Sequence, residues 1–292
     1  MKHTAPLLAL ALTLSGTALA QGRRPPRARP DAAAPAPDAA VDAAPVADDP
    51  VARYDALLRA VVRGGGVDYA ALRGRLGELR AFHDWLGAHG PATTPGEFPN
   101  AAARKAYWLN AYNAVVLRGV AEAPASMSNV MDYLPNSGFF RVRRWRVDGS
   151  ERTLDDIENR EVRPAFHDAR VHMALNCAAR SCPPLRAGAY RAERVDRQLD
   201  EQSARYVNAA GNVTVDDAAH TVRVVQLFEW FRDDFAARVP GHPASPVTGA
   251  LGFVHTFADA ALRARLEAAC GADGARCTLT FTPYDWALNR AR

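Results

Sequence analysis

Apolar residues fall at helical spacing along much of this chain. Tyr54, Leu57, Leu58 and Val61 mark a helix over 51–62, and Gly64-Gly65-Gly66 ends it. Val67-Asp68-Tyr69 reads as a short extended piece. Leu72, Leu76, Leu79, Phe82 and Leu86 mark a second amphipathic helix, followed by a loop over 91–99. The most apolar helix spans 101–122, with Trp108, Tyr112, Val115 and Gly119 on one stripe. Phe139 to Val147 reads as extended, with a hairpin turn at Asp148-Gly149. Thr153 caps a further helix, with Asp156 placed to complete a capping box. Beyond it the pattern predicts a charged helix over 191–208 and a hairpin of strands 212–216 and 221–225. An aromatic helix around Phe228 to Phe235, a helix over 247–269 and a last strand over 278–282 follow. Helices and short strands mix without strict alternation. The expected class is α+β, a helix-rich domain around a small, mostly antiparallel sheet.

One stretch concentrates the chemistry. Val171 to Leu175 alternates and is apolar, so it reads as a short strand. It stops at Asn176-Cys177, and Pro183-Pro184 blocks its continuation. His172, Cys177 and Cys182 thus sit at a strand end, where side chains can reach a cleft. Asn110 and Asn113 lie three apart on one face of the apolar helix. They require buried hydrogen-bond partners there, either bracing loops or lining the site.

The 292 residues suffice for a sizeable core, and 48% hydrophobic with 23% charged is ordinary for a soluble globular domain. The net charge of +4 is scattered. No basic stripe with interleaved aromatics supports nucleic-acid binding. Lys2 and His3 precede the apolar run Ala5–Leu14, and Ala18-Leu19-Ala20 has the form of a cleavage site. Residues 1–20 therefore read as a secretory signal peptide, and the expected location is periplasmic or secreted. No later apolar run is long enough to span a membrane. Residues 21–50, rich in Pro and Ala without aromatics, read as a disordered linker before a single domain over 51–292.

Export shapes the reading of four cysteines. Cys270 and Cys277 flank a Gly-Ala-Asp-Gly-Ala-Arg turn and are expected to form a disulfide. For Cys177 and Cys182 three readings stand open: a structural disulfide, a zinc site with His172, and a reactive thiol activated by the imidazole. The zinc reading lacks a fourth ligand, so neither metal nor cofactor is expected. An oxyanion could be held by N–H groups of the Ala178–Ser181 loop, or by Asn110 or Asn113.

Tyr107-Trp108-Leu109-Asn110-Ala111-Tyr112-Asn113, Leu154-Asp155-Asp156-Ile157-Glu158, Arg170-Val-His172 through Cys182-Pro183, and Tyr284-Asp285-Trp286-Ala-Leu-Asn289 together resemble the DUF547 family. The family has no established activity. The resemblance implies a core similar to papain-like and transglutaminase-like cysteine enzymes. On that pattern Cys177 is the expected nucleophile, His172 its base and Glu158 the group orienting the imidazole, with Asp155 and Asp285 as alternatives to Glu158. The matching blocks put forward Asn110, Asn113, Trp108, Arg170, Asn176, Cys182, Tyr284 and Asp285 as substrate-binding residues. The expected activity is thiol-dependent hydrolysis or acyl transfer at an amide or thioester, with a small-molecule or peptide-like substrate. The competing expectation is a binding module whose Cys177–Cys182 pair is closed.

Overall fold

Asp49 starts the first helix. Its carboxylate accepts a hydrogen bond from the Val51 N–H at 2.8 Å, and Pro50 takes a first-turn position where an N–H is not needed. The computed structural model describes residues 49–134 and 137–291. The expected signal peptide and nearly all of the expected linker lie outside the described residues.

Helix α1 (Pro50–Val61) buries Tyr54, Leu57, Leu58 and Val61, the four residues of its apolar stripe. Strands β1 (Val62–Arg63) and β2 (Gly66–Val67) pair around Gly64-Gly65, both at positive φ. The helix predicted from Leu72 to Leu86 is two helices, α2 (Tyr69–Gly74) and α3 (Leu76–Ala88). Asp68 caps α2 by accepting from the Ala71 N–H, which starts the helix before the apolar repeat does. Exposed Gly74, a weak helix former, precedes the break. Helix α4 (Ala101–Glu122), capped by Asn100, is buried along most of its length.

Residues around Phe139 depart from the sequence expectation. Gly138–Arg141 is a helical turn, α5, and only Trp145–Val147 is extended, as β3. The turn sends adjacent rings to different places. Phe139 packs against Gly119 of α4, where a Cβ would lie 2.9 Å from its ring, and Phe140 faces a surface pocket. β3 pairs with β4 (Ser150–Arg152) in the expected hairpin.

The capping box forms: Thr153 Oγ1 accepts from the Asp156 N–H, and Asp156 accepts from the Thr153 N–H, both at 3.0 Å. Helix α6 (Leu154–Asp156) runs into a π-helical turn, Ile157–Val162, and then α7 (Arg163–Phe166). Residues Ala169–Met173 are a 3₁₀ turn rather than a strand. The chain continues through α8 (Val195–Val207), β5 (Val213–Asp216), β6 (Thr221–Val225), α9 (Leu227–Trp230) and α10 (Arg232–Ala236). The helix expected over 247–269 is divided into α11 (Gly249–Phe257) and α12 (Ala260–Cys270), because Asp259 caps a new helix by accepting from the Leu262 N–H. β7 (Thr278–Thr282) joins β6 in parallel, giving a sheet ordered β5-β6-β7. Cys270 and Cys277 form the expected disulfide, with Cα atoms 4.8 Å apart.

The class is α+β, but among the described residues the strands form three small sheets rather than one. Two apolar clusters fill the interior. One is built around α1–α4 with the β3 hairpin, the other around the β5-β6-β7 sheet with α10–α12. The 3₁₀ turn lies between them: Val171 and Leu175 enter the first cluster, Ala169 and Met173 the second. This explains the misleading alternation. The apolar residues are divided between two cores rather than alternating about a sheet.

Candidate active site

The seam between the cores holds the thiol pair. Cys177 follows the 3₁₀ turn, and its position is fixed by amides on both sides. Asn113 Oδ1 accepts from the Asn176 N–H and its Nδ2 donates to the Ala174 carbonyl, both at 2.9 Å. Asn176 in turn donates to the Pro183 carbonyl and accepts from the Ala178 N–H. Ala178, immediately after Cys177, has φ of 62°. A non-glycine residue in that region stores about 1–3 kcal/mol of strain, and such residues cluster at functional sites. The segment near the C-terminus holds it there: Asn289 N–H donates to the Ala178 carbonyl, and Arg180 and Ser181 donate to the carbonyls of Ala287 and Asp285.

The two sulfurs are 2.7 Å apart, and both cysteines are free thiols. Cys177 is half-buried; Cys182 is buried. The Cys177 sulfur also lies 3.0 Å from the Tyr284 hydroxyl. Burial pushes the Cys177 thiol up, but hydrogen bonds from Cys182, Tyr284 and the Ala179 N–H outweigh it and bring the thiol below its ordinary value. Burial, and the hydrogen bond it gives to Cys177, raise Cys182 well above the ordinary range. The pair is thus asymmetric, with the thiolate favoured at Cys177.

Cys177 opens into a pocket of about 430 Å³. Its walls are mostly apolar: Leu175, Met131, Phe140, Phe231, Trp230 and Trp286. Trp230, Tyr284 and Trp286 pack on one another with ring centroids 4.6–5.7 Å apart. Trp230 is 43% exposed, a large apolar surface at the mouth.

The same pocket is lined by a carboxylate–imidazole group. His172 Nε2 is 2.7 Å from Asp234 Oδ2, and Nδ1 is 4.0 Å from Glu158 Oε1. The His172 ring stacks on Phe231 at 4.0 Å. Arg163 grips Asp234 with two bonds, at 2.6 and 3.1 Å. The hydrogen bond from His172, followed by that from Arg163, holds Asp234 well below the usual carboxylate range. Glu158 is brought to the pocket by the π-helical turn. Burial raises its carboxyl above the ordinary value, against the pull of His172 and Arg163. Tyr112 lines the same pocket as Glu158.

The structure therefore brings Cys177, Cys182, His172, Glu158 and Tyr284 to one pocket. It does not join His172 to Cys177 by a hydrogen bond among the described residues; the imidazole faces two carboxylates instead. Asp234 takes the close contact expected of Glu158. It lies 62 residues beyond His172, in an aromatic helix whose acidic pair gave no local signal. The expected oxyanion donors are also committed elsewhere. The N–H groups of Ala178, Arg180 and Ser181 bond within the frame, and the amides of Asn110 and Asn113 bond backbone carbonyls.

The remaining expected substrate contacts lie outside the pocket wall. Asn110 bonds both backbone groups of Tyr190. Trp108 is buried beside Tyr107 and Arg152. Arg170, 2% exposed, pairs with Asp168, Asp196 and Asp200, so its buried charge is compensated. Asn176 braces the loop, and Asp285 caps the Ala287 N–H and lies 3.7 Å from Arg180. Among the described residues no cluster of His, Cys, Asp and Glu is arranged to hold a metal ion, and no helix is long and apolar enough to cross a membrane.

Residues 97–207, which carry the Asn110/Asn113 helix, Glu158, His172 and both free thiols, match the family model described as "Protein of unknown function, DUF547". This segment is a DUF547 domain. No curated protein and no solved structure matches the chain. The DUF547 match ends before Asp234 and Tyr284, so the pocket is completed by residues beyond the matched segment.

Proposed function

We propose that this DUF547 protein is a thiol-dependent hydrolase or acyl transferase that cleaves an amide or thioester with an apolar acyl group. The observation that carries the reading is the asymmetric thiol pair: Cys177 faces an apolar pocket, with its thiolate favoured by hydrogen-bond donors. Its sulfur attacks the substrate carbonyl carbon, forming a C–S bond and an oxyanion. The Tyr284 hydroxyl, 3.0 Å from the Cys177 sulfur, is a donor for that oxyanion, and burial keeps it protonated. Departure of the amine or thiol leaving group, with a proton from the His172–Glu158 side of the pocket lining, leaves a thioester on Cys177. His172, oriented by Asp234, and Glu158 are the proton-handling groups. Water or a second nucleophile then takes the acyl group and frees the thiol.

The aromatic mouth of Trp230, Tyr284 and Trp286 supports an apolar or aromatic acyl portion. Export to the periplasm or the medium belongs to the same reading, supported by the Cys270–Cys277 disulfide and the N-terminal sequence. A panel of aryl-acyl thioesters with intact-mass detection tests the proposal. Wild type is expected to accumulate an acyl adduct on Cys177, and Cys177→Ala none. Absence of any adduct on reduced wild type across the panel refutes it.

The 2.7 Å sulfur separation also favours a second reading, a binding module in which Cys177 and Cys182 close to a disulfide. Peptide mapping of protein exported to an oxidising compartment decides: a closed pair that resists mild reductant supports the binding module, and free or readily reduced thiols support the enzyme.

A further inference from the structure

A second cavity, of about 540 Å³, shares Cys182 with the active-site pocket but differs from it in charge. Four arginines line it: Arg63 at the end of β1, Arg180 in the cysteine loop, Arg205 on α8 and Arg290 near the C-terminus. Among the described residues no Asp or Glu lines it. Among the described residues Arg63, Arg205 and Arg290 have no carboxylate partner, and Arg180 has only the exposed Asp285 at 3.7 Å. Elsewhere on this molecule arginines are commonly paired, as Arg143 is with Glu122 and Arg152 with Glu161.

The frame that gathers these four segments is fixed. The β1–β2 turn packs on Pro184 so closely that a Cβ on Gly65, at φ of 92°, would lie 2.3 Å from the Pro184 Cβ. The Leu185 N–H donates to the Gly65 carbonyl, and the Val67 N–H to the Asn289 carbonyl. Arg290 is steadied by a 2.9 Å bond to the Met127 carbonyl and by the Tyr69 ring. Like charges facing one concavity repel, and the arrangement focuses a positive potential into it. Guanidinium forks match phosphoryl and carboxylate oxygens, often with two bonds each.

We propose that this cavity binds a polyanionic small molecule, one bearing two or more phosphoryl or carboxylate groups. The site is independent of the thiol chemistry, and Cys177→Ala leaves it intact. Isothermal titration of the exported chain with pyrophosphate and with citrate tests it. At least one anion is expected to bind saturably at one site, more weakly as salt is raised. Pyrophosphate binding alone assigns a phosphoryl ligand, and citrate binding alone a carboxylate. Arg63→Ala and Arg205→Ala, both at exposed positions and checked for folding by circular dichroism, are each expected to weaken binding about tenfold, the loss of a charge-assisted hydrogen bond. No saturable binding of either anion, or binding unchanged in both variants, overturns the proposal.

Discussion

His172 Nε2 lies 2.7 Å from Asp234 Oδ2, so the imidazole is oriented by a carboxylate from a distant helix. That contact places the ring proton on Nε2 and turns Nδ1 toward Glu158. Nitrogen-15 NMR of labelled protein is expected to show His172 with its proton on Nε2. Asp234→Ala should release this preference and lower stability by about 1–3 kcal/mol, since it leaves the buried His172 N–H unpaired, while the lost Arg163 contact is partly exposed and screened. An unchanged tautomer in Asp234→Ala would remove Asp234 from the account.

Asn113 is the hinge pin of the cysteine loop. Its amide satisfies the buried Asn176 N–H and the Ala174 carbonyl, on either side of the turn into Cys177. Asn113→Ala leaves both unpaired and is expected to cost about 2–4 kcal/mol in denaturant unfolding. A loss below about 0.5 kcal/mol for Asn113→Ala contradicts the bracing role.

Much of this arrangement was legible in the sequence. The 3.6-residue repeat of Tyr54, Leu57, Leu58 and Val61 fixed α1, and Thr153 with Asp156 fixed the start of α6, because these signals are local. That Asn113 is buried and hydrogen-bonded was readable because an amide on an apolar helix has few partners, whereas the choice between bracing a loop and lining the site was not. The strand expected at Val171–Leu175 failed because alternation cannot distinguish two faces of a sheet from two separate cores. Asp234 and the crowding at Gly119 arise from contacts between distant segments, which no local periodicity records.

His83 on α3 gives the fold an acid-sensitive point. It is buried beside the Arg118 guanidinium, and among the described residues its Nε2 has no hydrogen-bond partner. Burial, then Arg118, lowers it from 6.5 to about 4. The folded state therefore binds this proton less readily than the unfolded chain. The contribution is intact above pH 6.5 and is lost as pH falls toward 4, by on the order of 3 kcal/mol. His83→Phe should flatten the fall in unfolding free energy across that window. An equal fall in wild type and variant refutes the assignment.

The Cys270–Cys277 bridge closes a short loop at the edge of the second core. Cys277→Ser is expected to lower stability by about 2 kcal/mol, the loop-closure entropy for so short a separation. Thermal unfolding measures it, and no change in midpoint would contradict a stabilising role.

The central claim is that Cys177, not Cys182, is the reactive thiol. Cys177 reaches the pocket and its thiolate is favoured; Cys182 is buried and its thiol is held protonated. The direct test is the rate of iodoacetamide alkylation at neutral pH of reduced Cys182→Ala, which retains Cys177, against Cys177→Ala, which retains Cys182. Cys177 is expected to react at least about tenfold faster, even after losing the Cys182 hydrogen bond, because the Tyr284 and Ala179 donors remain. Equal rates, or faster reaction at Cys182, would contradict the account.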